Sequence, residues 1–178
     1  MKKLLLLCPF LFALLNLVFA AENPAAPGAS APSPYASFDF LIGGVWRATL
    51  PPGKDGVALQ IEAEFAVPEN RQGVSFHSTF IRGEKRSPYT HGLYAWNGAK
   101  GKLVFFYTDS QGSLTEGTIA QEGNVLAHDF TITDKAGKVE RARSRLTKLG
   151  PDAFTNEISV LRDEAWTKVV DIRYERQR

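Results

Sequence analysis

The chain reads as an all-β protein: ten antiparallel strands wound up-and-down into a closed barrel, preceded by a short helical turn. Three observations predict this. From Gly44 onward apolar and polar residues alternate at period two. Turn-forming clusters recur about every thirteen residues. No interval between them is long enough for a crossover helix, so consecutive strands are antiparallel neighbours.

Taken in order, residues 1–20 stand apart from the rest. Sixteen of these twenty are hydrophobic, Lys2 and Lys3 open the segment, and an apolar run from Leu4 to Phe19 ends at Ala20 and Ala21. That layout predicts a secretory signal peptide cleaved after Ala20, with Val18 and Ala20 at the −3 and −1 positions, and a periplasmic or secreted product. Cys8 is the only cysteine and lies inside the leader. The mature chain is therefore expected to have no disulfide, no thiolate-bound metal and no thiol nucleophile. Loss of Lys2 and Lys3 leaves 19 cationic residues against 19 Asp and Glu. A neutral chain lacks the basic excess that phosphate neutralisation demands, so no nucleic-acid partner is expected. No later stretch approaches the length of a membrane-crossing helix, so no transmembrane segment is expected after cleavage.

Residues 21–37 read as a disordered Ala/Pro/Ser linker, with Pro24, Pro27, Pro32 and Pro34 among small residues that bury little apolar surface. The folded domain is expected over 38–178. Phe38, Phe40, Leu41 and Ile42 surround Asp39 and run into Gly43-Gly44, which fits a helical turn with one apolar side. Strands are then expected at 44–50, 56–67, 73–82, 88–96, 102–109, 113–121, 124–132, 138–148, 153–162 and 165–176. Pro51-Pro52-Gly53, Asn97-Gly98, Ser110-Gln111-Gly112, Glu122-Gly123 and Gly150-Pro151-Asp152 are among the turns between them. Ten such strands hide their edges by closing into a barrel or by splitting into a sandwich. Strands of eight to eleven residues favour the barrel, and at ten strands the interior is wider than side chains alone fill well.

Gly44-Val45-Trp46, directly after the apolar turn from Phe38 to Gly44, resembles the opening of lipocalin-like proteins of the calycin superfamily. The resemblance implies that Trp46 packs at the closed end beneath the N-terminal turn, with an arginine near the end of the last strand lying across it. Arg176, in Tyr174-Glu175-Arg176, or else Arg173, is placed for that role. Overall the chain looks like small exported bacterial relatives of largely unassigned function. Fatty-acid-binding proteins hold a carboxylate with an arginine and a tyrosine on the closing strand, so Tyr174 and Arg176 admit that second reading. Nitrobindin-type haem barrels are also ten-stranded and ligate iron through a histidine late in the chain; no histidine follows His128, which argues against haem, and no cofactor is expected.

Strand parity selects the residues able to meet a ligand. It places Phe76, Ser78 and Phe80 inward on the third strand, Phe105 and Tyr107 on the fifth, and His128 on the seventh. Asn156 faces inward on the ninth and Lys168 on the tenth. Apolar walls with sparse polar groups compose a small-molecule site, so a hydrophobic or lipid-like ligand is expected, with no covalent chemistry. A lumenal enzyme is the alternative, with His128 as base and Tyr107 or Lys168 polarising a carbonyl, although no catalytic motif demands it. An interaction module is a third reading: Arg141, Arg143 and Arg145 form an outer ladder expected to pair with Glu157 and Asp129. His77 and His128 fall on opposite faces, which argues against a three-histidine metal site with His91. Glu62 and Glu64 read as solvent decoration of the second strand. Neither the ligand nor the oligomeric state is legible.

Overall fold

A computed structural model describes residues 33–177, apart from residues 53 and 55. The leader and most of the linker fall outside the described residues. Among the described residues no helix is long and apolar enough to cross a membrane.

The chain opens with a 3-10 turn at Ala36–Phe38 and continues through ten strands: β1 (Val45–Thr49), β2 (Leu59–Ala66), β3 (Val74–Arg82), β4 (Lys85–Asn97), β5 (Lys102–Asp109), β6 (Leu114–Glu122), β7 (Val125–Thr133), β8 (Val139–Lys148), β9 (Ala153–Arg162) and β10 (Ala165–Arg176). Each strand pairs with its neighbours in sequence, and β1 pairs with β10, so the sheet closes on itself. The expected barrel is thus the observed one, and closure removes every free edge. The helical turn begins at Ala36, ahead of its expected start at Phe38. Tyr35 is also drawn in: its hydroxyl accepts from the Trp96 amide at 3.0 Å.

Two irregularities decide which side chains face inward. Between Ser78↔Thr90 and Thr79↔Pro88 the register slips, leaving Tyr89 as the extra residue of a bulge on β4. Pro88 has no N–H to give, and a bulge tolerates that inside a strand. β4 therefore begins at Lys85, ahead of the expected residue 88, after a tight turn at Gly83-Glu84. A second slip lies between Lys168↔Ser159 and Val170↔Ile158, which makes Val169 the extra residue on β10. The hairpin leading into β10 places Asp163 and Glu164 at φ 47° and 64°. Two consecutive left-handed residues match the right-handed strand twist of a two-residue hairpin, here without glycine.

One end of the barrel is sealed by the N-terminal turn. Phe38, Leu41, Trp46 and Val74 are wholly buried there. Trp46 Nε1 donates to Leu41 O at 2.8 Å, and Phe38 packs on Tyr94 with centroids 4.6 Å apart. The Arg176 guanidinium lies 4.3 Å over the Trp46 ring. It also donates to Phe40 O at 2.5 Å and to Ile42 O at 3.5 Å, tying the last strand to the plug. Gly44 is required by this stack: a Cβ there would overlap Arg176 Nη1. Of the two readings of Tyr174 and Arg176, the geometry places Arg176 on the tryptophan. Tyr174 instead turns inward and stacks on Phe154 at 4.7 Å.

On the outer wall Glu62 is no solvent decoration. It is only 7% exposed and is clamped between Arg86, which donates to Oε2, and Arg47, which donates to Oε1 through both Nη2 and Nε. The hydrogen bond from Arg86, opposed in part by burial and reinforced by Arg47, lowers its pKa below the ordinary 4.5. A depressed carboxylate stabilises the fold above its unfolded value, and that contribution is lost as pH falls through the folded one. Glu62→Gln is expected to cost about 1–2 kcal/mol at neutral pH, because both arginines are partly exposed and screened. Urea titrations at successive pH values should show the gap to the parent shrinking below about pH 4.5. A gap that is independent of pH would refute the clamp.

Candidate functional site

The space between the plug and the opposite, open end holds a cavity of about 330 Å³. Alternation puts the cavity's side chains on the inner pleat of successive strands. Ile61 and Phe65 come from β2, Phe76, Ser78 and Phe80 from β3, Phe105 and Tyr107 from β5, and Phe154, Asn156 and Ile158 from β9. Ten of the twenty-three described lining residues are aromatic. They form a connected wall, with Phe76 against Tyr94 at 4.8 Å and against Tyr107 at 5.7 Å, and Phe105 against Phe130 at 5.7 Å. Near the mouth Phe80 packs on Tyr89 at 4.1 Å.

The polar groups are few and mostly engaged. Ser78 Oγ and Thr90 Oγ1 share a hydrogen bond at 2.6 Å. His128 Nδ1 lies 3.1 Å from Leu126 O. Burial pushes the imidazole pKa down to about 4, against a weaker opposing pull from that carbonyl. The neutral ring therefore keeps its proton on Nδ1 and leaves Nε2 as an acceptor. Burial raises the pKa values of Tyr94, Tyr107 and Tyr174, opposed in part at Tyr107 by its hydrogen bond with Thr115, so these phenols stay protonated. Asn156 Oδ1 is shielded from water and has no hydrogen-bond partner.

Of the residues singled out from the sequence, Phe76, Ser78, Phe80, Phe105, Tyr107, His128 and Asn156 line one cavity. Lys168 does not. The bulge at Val169 shifts the pleat, so Lys168 is exposed on the outside, 2.5 Å from Asp171. Trp166 moves with it and lies outside under the Arg143 guanidinium at 4.5 Å. A lysine electrophile is thereby separated from His128 and Tyr107, with which the enzyme reading combined it. The sequence missed Tyr89, which the β4 bulge admits to the lining; Pro88 in mid-strand was its signal. Tyr94 was also missed as a lining residue, whereas Val170 and Tyr174, inward by parity on the tenth strand, do line the cavity. His77 faces His91 across the outer wall and lies 3.3 Å from Glu64, so the three histidines are not brought together.

A larger depression of about 710 Å³ crosses the outer wall of β5–β8, lined by Lys102, Glu122, Asp129, Arg143 and Arg145 around Ala120 and Ala127. It is open to water. Arg143 and Arg145 stand opposite Asp129 and Glu157 as expected, but Arg145 reaches Glu122 at 3.0 Å and Arg143 covers Trp166. Secluded apolar walls favour the interior as the small-molecule site.

Several solved structures resemble the chain. Rv2717c from M. tuberculosis aligns with TM-score 0.53 and 12% identity, over 83% of this chain and 99% of that one. The likeness is one of fold. The structure of EF1p2_mFAP2b bound to DFHBI aligns with TM-score 0.35 and 18% identity, over 79% of this chain and 97% of that one, too loosely to bear on this protein. No protein-family model and no curated protein matches the chain.

Proposed function

We propose that this protein is an exported, lipocalin-like barrel that holds a hydrophobic or amphipathic small molecule inside and performs no covalent chemistry on it. The observation that carries this reading is the cavity of about 330 Å³, sealed at one end by Trp46 and the plug and walled mainly by aromatic and aliphatic side chains. Its size lies at the lower end of ordinary ligand pockets, roughly 300–1,000 Å³. Export follows from the leader-like residues 1–20.

N-phenylnaphthylamine, an uncharged dye that brightens in apolar surroundings, tests the reading. The purified protein is expected to bind it saturably at one site. Val170→Trp, which fills the upper part of the cavity, should weaken binding at least about tenfold while costing no more than the ~1–3 kcal/mol usual for overpacking. No saturable signal, or equal binding by Val170→Trp, would rule the lumen out as the site.

A further inference from the structure

We infer that the lumen selects uncharged ligands, rejecting carboxylates and other ions, and that Asn156 takes the hydrogen-bonding group of the ligand it accepts. This rests on the lumen being a binding site and deepens that reading.

Among the described residues the lining contains no Asp, Glu, Lys or Arg. Lys168, the one cation that the sequence placed inside, is on the outer wall against Asp171. Arg176, the cation of the fatty-acid-binding pattern, is spent on Trp46 and on the carbonyls of Phe40 and Ile42. The remaining titratable side chains, His128 and the tyrosines, are neutral near pH 7. An anion or cation entering this space would give up its hydration and meet no counter-charge, which is far more costly than transferring a neutral group.

A neutral ligand is not therefore purely apolar. Asn156 lines the cavity, and among the described residues its Oδ1 is the lining atom that is both shielded from water and without a partner. Ser78 and Thr90 satisfy each other, and His128 Nδ1 is held by Leu126. A buried acceptor without a donor destabilises the empty protein, and a rotation of the Asn156 amide that turns Oδ1 toward the cavity lets a ligand N–H or O–H remove that deficit. The aromatic wall suits a flat partner, since Phe76, Phe80 and Tyr107, which line the cavity, keep part of their ring surface exposed. The ligand class is thus a planar, uncharged molecule with one hydrogen-bond donor, such as a phenol, an arylamine or an aromatic amide.

The dye pair that isolates charge is N-phenylnaphthylamine and anilinonaphthalene sulfonate, which share a skeleton and differ by one sulfonate. The sulfonate is expected to bind the purified protein at least about 100-fold more weakly than the neutral dye, each titrated by its own fluorescence. Comparable affinities would overturn the selectivity while leaving the binding reading intact. Failure of the neutral dye to bind would overturn both. Asn156→Leu should weaken N-phenylnaphthylamine about fivefold but leave phenylnaphthalene, which lacks the N–H, unchanged. Equal effects on the two compounds, at an unchanged melting temperature, would remove Asn156 from the role.

Discussion

Trp46→Ala is expected to cost about 3–5 kcal/mol of folding stability, the usual range for emptying a fully buried tryptophan site. Four separate attachments meet on this ring. Its indole N–H holds Leu41 O, its edge meets Phe154 at 4.9 Å, Arg176 covers its face, and β1 around it zips to β10 through Trp46↔Arg176. A domain of this size has about 5–15 kcal/mol in all, so the variant should sit close to its folding threshold. Urea denaturation measures the loss. Arg176→Leu removes the guanidinium, and the double variant should be less destabilised than the two single effects summed, by about 0.5–2 kcal/mol. Strict additivity, or a loss below about 1 kcal/mol for Trp46→Ala, would show that the plug does not depend on this ring.

Acidification from pH 6.5 to about pH 4 is expected to remove about 3 kcal/mol through His128 alone. In this window the unfolded chain takes up a proton on the imidazole, while the folded chain, with that ring among Tyr94, Phe105 and the barrel wall, resists it. The sign follows from the depressed folded pKa: the contribution is fully present above 6.5, declines as pH falls, and is exhausted below about 4. The slope approaches ~1.4 kcal/mol per pH unit within the window. His128→Leu should flatten this part of the stability profile without altering the Glu62 window at lower pH. Proton NMR provides the direct check, since the His128 ring signals should stay unprotonated down to about pH 4. Titration of those signals near 6.5 would overturn the buried, neutral assignment.

Much of the site was readable because period-two alternation maps directly onto the two faces of a pleat. Ser78 between Phe76 and Phe80, or Asn156 between Phe154 and Ile158, had only one parity compatible with the neighbouring apolar residues. Strand five, apolar on both faces, is resolved by register: Phe105 lines the cavity while Phe106 is 49% exposed. The errors at Lys168 and Tyr89 share one cause. A bulge adds a residue and inverts everything beyond it, which expelled Lys168 and Trp166 and admitted Tyr89. In the β10 case the inserted Val169 is an ordinary strand residue and carries no local mark. At β4 the mark was present, as a proline inside an alternating run.

By itself the sequence determined the all-β class, the number and order of the strands, and most of the interior set. Those depend on short-range periodicity and on turn chemistry, both local properties of the chain. Only the tertiary structure decided the absence of charge from the lining, the burial of Glu62 between Arg47 and Arg86, and the orphaned Asn156 oxygen. These depend on pairing register between strands and on how far long side chains reach across the wall. Such quantities exist only once the sheet has closed.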